Sequence, residues 1–153
     1  MLMDNLQDDI SDIELKQRWR LYWINCIFEF SNLRLQKMSW IEGSEGKWSD
    51  AEIWQSSYDE CISAYFDNLA LDDAYEKALK WGNVSTEEVN EAKEFHQLAA
   101  FYMEPNENPQ DILNDEEWIE VVASAKGFWE YLKKSVTSQR EIDLIKKLEE
   151  DYS

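Results

Sequence analysis

The sequence predicts an all-α protein, a single-domain bundle of about five to six helices around a central, aromatic-rich N-terminal helix. Four Ser residues stand three positions before a Glu and directly ahead of an amphipathic segment, which is the capping-box pattern of a helix start. No segment shows the sustained alternation of apolar and polar residues that is typical of a half-buried strand. The 153 residues are 44% hydrophobic and include 8 Trp, 7 Tyr and 6 Phe, which is enough for one aromatic core. We therefore expect one helical domain over residues 1–153, with residues 1–10 as a flexible N-terminus.

The first predicted helix runs from about Asp12 to Gln36. It begins at the first of the four capping pairs, which are Ser11/Glu14, Ser49/Glu52, Ser85/Glu88 and Ser138/Glu141. At 100° per residue it has a broad apolar face and a second apolar strip. The face comprises Leu15, Trp19, Tyr22, Trp23, Cys26, Phe30 and Leu33, and the strip comprises Leu21, Ile24, Phe28 and Leu35. A helix that is apolar on two sides is expected at the centre of its fold.

The second predicted helix runs from Asp50 to about Asp67. Its predicted buried side chains are Trp54, Tyr58, Cys61, Ile62 and Tyr65, and its predicted outward ones are Glu52, Asp59, Glu60, Ser63 and Asp67. Trp40 and Trp48 precede it in a loop, where each is either a core residue or an exposed anchor for a partner. Asp72 can cap a short third helix that ends at Trp81, because Gly82 can adopt the left-handed conformation of a C′ residue.

The fourth predicted helix, Thr86 to Glu104, stops at Pro105, which cannot supply the next backbone donor. Its apolar stripe comprises Val89, Ala92, Ala99, Ala100 and Met103, widened by Phe95 and Tyr102. Pro105 to Gln110 contains both prolines and is the clearest predicted loop. The fifth helix, Asp115 to Ser135, has the narrowest stripe: Trp118, Val121, Val122, Ala125, Phe128, Trp129, Leu132 and Val136. A sixth helix, Gln139 to Asp151, closes the bundle with Ile142, Ile145 and Leu148.

No residue pattern predicts catalysis or a cofactor. His96 is the only histidine, and the two cysteines, Cys26 and Cys61, form neither a CxxC motif nor a zinc spacing. Cys61 and His96 are the one candidate pair of nucleophile and base, but both lie on predicted apolar stripes. We therefore expect His96 to be a packed histidine with one satisfied nitrogen. The protein is expected not to be an enzyme and to hold no metal or cofactor.

The same residues predict a cytoplasmic protein that does not enter a membrane. Two cysteines are too few for the disulfide framework of a small secreted domain. The first twelve residues contain four Asp where a signal peptide needs positive charge. The most apolar stretch, Leu21 to Phe30, is interrupted by Asn25 and Glu29 and has about half the length of a membrane span.

The charge of the chain is strongly negative and segregated. With 33 Asp and Glu against 15 Lys and Arg, the net charge is −18, and the pI is near 4.3. Residues 42–120 contain 21 acids and four bases, a net of −17, whereas residues 121–153 contain six of each. This charge excludes direct binding of nucleic acid or of an anionic membrane, since both depend on Lys and Arg. Clustered like charge opposes folding through self-repulsion, and a cationic protein partner is its simplest use.

The polar faces of three predicted helices would form one acidic surface if they lie together. The candidate partner-binding residues are Asp59, Glu60, Asp67, Glu87, Glu91, Glu94, Glu116 and Glu120, with Trp48 or Tyr131 as an apolar anchor. Glu87, Glu91 and Glu94 share one side of the fourth helix at i, i+4 and i+7. Whether the protein is a monomer or a homodimer stays open at this point.

In size, pI, Trp-rich helices and the acid-rich region from Asp59 to Glu120, the chain resembles the small, acidic, helical immunity proteins of bacteria. These antitoxins neutralise toxin domains in the cytoplasm, in the contact-dependent and polymorphic toxin systems of bacterial competition. The resemblance implies a toxin inhibitor that acts through protein–protein interaction. Its partner would be a cationic toxin, a nuclease with a basic groove, occluded at fixed stoichiometry by the acidic surface.

Three alternatives to an immunity protein remain. A DNA-mimic protein would place the same carboxylates at phosphate-like spacings and would inhibit many DNA-binding proteins. A helical adaptor would bind a peptide in an apolar groove beside the first helix, and salt would affect that binding little. An enzyme would expose Cys61 and His96 together in a cleft.

Overall fold

The computed structural model describes residues 11–43 and 56–152, and every regular element in these two ranges is helical. The described α-helices are α1 Asp12–Ser31, α2 Leu33–Gln36, α3 Tyr58–Ser63, α4 Glu76–Lys80, α5 Thr86–Phe101, α6 Pro109–Leu113, α7 Glu116–Ser135 and α8 Gln139–Tyr152. Two π-helical segments, Lys37–Glu42 and Ala64–Asn68, follow α2 and α3, and a 3₁₀ turn spans Leu71–Asp73. The all-α prediction is confirmed, whereas the predicted number of five to six helices is too low.

One extra helix arises because the chain breaks where the apolar periodicity continues, and the other, α6, begins within the predicted loop. Asn32 has an extended backbone, and its side chain accepts the N–H of Leu35 at 2.9 Å, so α1 ends and α2 begins within the predicted first helix. Ser57 is likewise extended and accepts the N–H of Glu60 at 3.1 Å, which starts α3 at Tyr58. The Ser49/Glu52 pair, Trp48 and Trp54 lie outside the described residues, as does the predicted flexible segment 1–10.

The short third helix differs from its prediction. Ala70, Ala74 and Tyr75 have positive φ angles of 55°, 57° and 74°, which non-glycine residues rarely adopt. Ala70 precedes the 3₁₀ turn, and Ala74 and Tyr75 separate that turn from α4. Asp73, rather than Asp72, accepts the N–H of Lys77 at 3.0 Å. The helix ends as expected, because Gly82 has a φ of 77°.

Some of the predicted capping residues cap their helices, whereas Ser138 contacts another helix. Ser85 and Glu88 form the reciprocal capping box of α5. Ser11 caps α1 by accepting the N–H of Glu14 at 3.1 Å. The Ser138 hydroxyl, the predicted cap of α8, donates a hydrogen bond to the Gln17 side chain of α1 at 2.6 Å. The predicted loop over 105–110 is shortened, because Pro109 occupies the first turn of α6 and Asn108 caps that helix.

The predicted central position of the first helix is confirmed for its second half. α1 packs most extensively against α7 and also contacts α8 and α3. Trp23, Ile24, Ile27 and Phe30 are fully buried there. Three predicted members of its apolar face are wrong, because Leu15, Tyr22 and Leu33 are 45%, 41% and 38% exposed. The core is centred on α1 from Trp23 onward, and the first turns of α1 instead make polar contacts with α8.

A buried ion network fixes the start of α5 on α1. The guanidinium of Arg20 donates to Glu88 Oε2 at 2.7 Å and to Glu141 Oε2 at 2.9 Å, and also to the carbonyl of Asn83 at 2.8 Å. The side chains of Glu88 and Glu141 are 11% and 4% exposed. One arginine of α1 therefore joins α5 and α8. No helix in the described ranges is long and apolar enough to cross a membrane.

Candidate functional site

The antiparallel pair of α5 and α7 presents an acidic surface. At one end, the Tyr131 hydroxyl of α7 donates to Glu87 Oε1 of α5 at 2.8 Å. At the other end, Glu94 of α5 and Glu120 of α7 line the same groove. We define the α5–α7 acidic surface by its six exposed carboxylates: Glu87, Glu91, Glu94, Glu116, Glu117 and Glu120.

The helical repeat explains why these carboxylates face outward. The opposite side of α5 buries Ala92, Phe95, His96 and Ala99, and α7 buries its whole predicted stripe from Trp118 to Leu132. Residues three, four and seven positions apart share a face, so burying one stripe exposes the other. The predicted stripe of the fifth helix and the predicted outward positions of Glu87, Glu91, Glu94, Glu116 and Glu120 agree with the structure.

These carboxylates form no ion pair with any Lys or Arg in the described part of the chain. Within residues 11–43 and 56–152, none of the six forms an ion pair, and Glu87 is the one that accepts a side-chain hydrogen bond from another helix. The ion pairs of the described protein lie on α1, α4, α8 and the end of α7, and on Glu88 inside the fold. Lys93 is the one Lys or Arg in the sequence of α5. The α5–α7 surface therefore carries an uncompensated negative potential.

A groove of about 560 Å³ runs between the two helices. Its apolar lining residues include Leu98, Phe101 and Val121, and its acidic lining residues are Glu94, Glu117 and Glu120. Phe101 is 81% exposed. The sequence interpretation missed Phe101, although its position seven residues after Glu94 places it on the acidic side of the helix rather than on the core stripe.

Two predicted members of the α5 stripe are wrong. Met103 is 80% exposed and Ala100 is also exposed. The helix ends at Phe101 and Tyr102 is extended, so Met103 leaves the helical register on which its burial was predicted. The Tyr102 hydroxyl donates to Asp115 at 2.8 Å, which holds Tyr102 against the start of α7.

The other three predicted acids are exposed but lie in different surroundings. Asp59 lines a cleft with Glu104 and Glu107, and Glu60 lines another cleft with the buried Glu29. Asp67 lies on the π-helical segment after α3. Five of the eight predicted acids thus lie on α5 and α7, whereas Asp59 and Glu60 lie on α3 and Asp67 lies on the π-helical segment after it.

Of the predicted aromatic anchors, only Tyr131 can be placed. It is half-buried, and its ring stacks on Phe128 with centroids 6.1 Å apart. Burial and the hydrogen bond to Glu87 raise the pKa of Tyr131 to about 12. Trp48 lies outside the described residues. Trp40 is 2% exposed and donates its Nε1–H to Glu29 at 2.9 Å, so the core alternative holds for Trp40, which lies in the π-helical segment rather than in a loop.

Cys61 and His96 are not exposed together in a cleft. Cys61 is 1% exposed, and burial raises the pKa of its thiol well above the usual value. His96 is 7% exposed, and its Nδ1 lies 2.8 Å from the Tyr65 hydroxyl, which confirms the prediction of a packed histidine with a satisfied nitrogen. Among the described residues, no group of His, Cys, Asp and Glu is arranged to hold a metal ion.

Comparisons with protein-family models, with curated proteins and with solved structures find no match to this chain.

Proposed function

We propose that this protein is an immunity protein, which binds a cationic bacterial toxin domain and neutralises it by stoichiometric occlusion. The observation that carries the proposal is the α5–α7 acidic surface, whose exposed carboxylates form no ion pairs within the described part of the chain. Like charges held close together oppose folding, and a basic partner removes that cost when it binds.

The chemistry of a nuclease suits this surface. An enzyme that binds RNA or DNA needs Lys and Arg along its groove to contact phosphates. Carboxylates that occupy such a groove or its rim pair with the same Lys and Arg and exclude the nucleic acid. One inhibitor then blocks one toxin domain, without any chemical step on the inhibitor.

The architecture also favours fast binding. Glu91, Glu94 and Glu120 lie on long helices whose opposite faces are packed in the core, so their backbone is ordered before binding. A preformed surface avoids the entropic cost of ordering a loop. Complementary potentials raise association rates by orders of magnitude at low salt.

A helical adaptor is the second candidate, and a cavity beside α1 favours it. The cavity has a volume of about 660 Å³ and is lined by Phe28, Trp129 and Tyr152. Its charged lining residues have both signs: Lys126 and Arg34 are basic, and Glu130 and Glu149 are acidic. A peptide bound there would depend on apolar contacts, so neither salt nor a charge change on α5 would affect its binding much.

The test is quantitative capture from the native cell with three forms of the full-length protein as bait: wild type, Glu91→Lys/Glu94→Lys, and Asp143→Lys/Glu150→Lys. The last variant makes the same change in net charge on exposed positions of α8. Glu87 is left intact because it holds Tyr131.

We expect wild type and the α8 variant to retain one basic protein at a 1:1 ratio, which the α5 variant loses and which high salt releases. The released protein should be toxic or nucleolytic on its own and inactive when the wild-type protein is added back. Equal capture by all three baits, or a partner of acidic pI, would contradict the proposal. Capture of many DNA-binding proteins would identify a DNA mimic instead.

A further inference from the structure

Two exposed apolar side chains flank the buried Tyr102. The Tyr102 side chain is 8% exposed, packs against the rings of Tyr58 and Trp118, and donates its hydroxyl to Asp115. Successive side chains of an extended segment point to opposite sides. Phe101 ends α5 on the acidic side of that helix, and Met103 follows the inward-pointing, extended Tyr102 on the outer side. Phe101 and Met103 are 81% and 80% exposed.

Phe101 belongs to a groove with apolar and acidic lining residues, and Met103 lies two residues further along the chain. Phe101 lines the α5–α7 groove together with Leu98 and Val121, and Glu94, Glu117 and Glu120 stand around them. A single exposed apolar residue is ordinary, but contiguous exposed apolar surface with a polar rim is typical of interaction sites. Methionine is common at such sites because its unbranched side chain adapts to the partner.

We infer that this groove receives a basic amphipathic helix of the protein partner, with its apolar side on Phe101 and Met103 and its Lys and Arg on the surrounding carboxylates. The inference rests on the proposed function and specifies the segment of the partner that the acidic surface binds. A groove between two antiparallel helices fits a third helix, which is a common mode of peptide recognition.

Charge complementarity selects this occupant over the others. A second copy of the chain would bring a net charge of −18 to the same surface, and the acidic grooves of the two copies would repel each other. Nucleic acid and anionic lipid are repelled for the same reason. A basic but wholly polar segment would pair with the carboxylates and leave Phe101 and Met103 in water.

Two synthetic peptides of equal length and equal positive charge test the inference on the full-length protein. One is a Leu/Lys peptide that forms an amphipathic helix, and the other is a Lys/Ser peptide without apolar residues. Dissociation constants are measured by fluorescence anisotropy of labelled peptide across a range of salt concentrations. The proteins are wild type, Phe101→Ser, Ile13→Ser and Glu91→Lys/Glu94→Lys. Ile13 is the matched control because it is 80% exposed and lies on α1.

We expect wild type to bind the Leu/Lys peptide about tenfold or more tightly than the Lys/Ser peptide, because a buried Phe contributes at least that factor. Phe101→Ser should lose this preference without weaker binding of the Lys/Ser peptide, and Ile13→Ser should keep it. Both α5 charge reversals together should weaken the binding of both peptides.

The outcomes separate this inference from the proposed function. If Glu91→Lys/Glu94→Lys weakens both peptides while Phe101→Ser keeps the full preference, the amphipathic helix is excluded and the acidic binding surface stands. If the charge reversal changes the binding of neither peptide, the proposed function fails and this inference fails with it. Equal affinity of wild type for the two peptides would also overturn the inference.

Discussion

His96 ends a chain of buried hydrogen-bonding groups. Trp23 Nε1–H donates to the Tyr75 hydroxyl at 3.0 Å, the Tyr75 and Tyr65 oxygens are 2.6 Å apart, and Tyr65 lies 2.8 Å from His96 Nδ1. The Trp23 Nε1–H can only donate, so among these groups Tyr75 finds an acceptor for its own hydroxyl proton only in Tyr65. Tyr65 then donates its proton to His96 Nδ1. In this arrangement Nδ1 accepts a hydrogen bond, which favours the neutral imidazole with its proton on Nε2.

This arrangement predicts a dependence of stability on pH. Burial lowers the pKa of His96 below its ordinary value near 6.5, although the carboxylate of Asp73 opposes the shift. Below about pH 6.5 the unfolded chain binds a proton more readily than the folded one, so acidification should lower the free energy of unfolding. His96→Asn keeps an acceptor near Nδ1 and removes the titration.

Urea denaturation between pH 7.5 and 5.5 checks this expectation, and the difference between wild type and His96→Asn isolates His96 from other titrating groups. The loss of stability on acidification should be smaller in the variant. Parallel pH profiles for the two proteins would show that His96 titrates alike in the folded and unfolded states.

At the residue scale, the sequence was sufficient to predict that His96 is packed but not what it bonds to. Its place on the apolar stripe of α5 indicated burial. Tyr65 and Tyr75 reach it only because Ala70, Ala74 and Tyr75 adopt left-handed backbone conformations, and no glycine marks these positions. The position of Phe101 was predictable from the sequence, since the helical repeat alone places it on the same side of α5 as Glu94.

At the element scale, α1, α5 and α8 are joined by Arg20 and the two buried carboxylates of Glu88 and Glu141. Removing one member of a buried ion network leaves uncompensated charge inside the protein. Arg20→Ala should therefore lower the free energy of unfolding by about 3–5 kcal/mol in urea denaturation. Arg18→Ala, which removes an exposed guanidinium bonded to Glu14 at 3.0 Å, should change it little. Equal effects of the two substitutions would show that the buried network does not hold these helices together.

Two glycines of opposite character test the helix assignments. Gly82 has a φ of 77° after α4, and Gly127 lies in α7 with nothing within 4 Å of an added Cβ. Gly82→Ala should lower the free energy of unfolding by about 1 kcal/mol. Gly127→Ala should raise it by about 0.5–1 kcal/mol, because alanine favours the helix. Thermal denaturation of both variants measures these changes. A stabilised Gly82→Ala variant or a destabilised Gly127→Ala variant would contradict the backbone described after α4 and within α7.

The strongly periodic helices were predictable and the interrupted ones were not. The stripe of α7 and the capping box of α5 are local signals, and both appear in the structure. The break at Asn32 and the start of α3 after Ser57 fall inside continuous apolar periodicity, so only side-chain capping at those two positions marks them. The Arg20 network joins residues 68 and 121 positions apart, which no local pattern encodes.

At the scale of the whole molecule, ion pairs and unpaired acids occupy different regions. The described bases are used largely on α1, α4, α8 and the end of α7, which leaves the α5–α7 acidic surface without ion pairs in the described part of the chain. The charge asymmetry along the sequence predicted this segregation, but grouping the acids on one surface required the antiparallel packing of α5 and α7. The same packing placed Asp59, Glu60 and Asp67 elsewhere.

The acidic surface should be dispensable for folding. Glu91 and Glu94 are exposed and unpaired within the described residues, so Glu91→Lys/Glu94→Lys should shift the free energy of unfolding by no more than about half a kcal/mol. Relief of self-repulsion favours a small gain rather than a loss. Circular dichroism and thermal denaturation should show a helical protein that melts close to wild type. A large loss of stability would mean that these carboxylates serve the fold.

The most direct test of the binding surface is the association rate constant of the partner retained by wild-type bait, measured by stopped-flow fluorescence across a salt series. For wild type and Asp143→Lys/Glu150→Lys we expect fast association that slows steeply as salt rises, because steering acts over a Debye length of about 8 Å at physiological ionic strength. For Glu91→Lys/Glu94→Lys we expect association slower by at least about tenfold, with a weak dependence on salt. Equal association rates for wild type and the α5 variant, together with slow association of the α8 variant, would contradict the account and place the interface on α8.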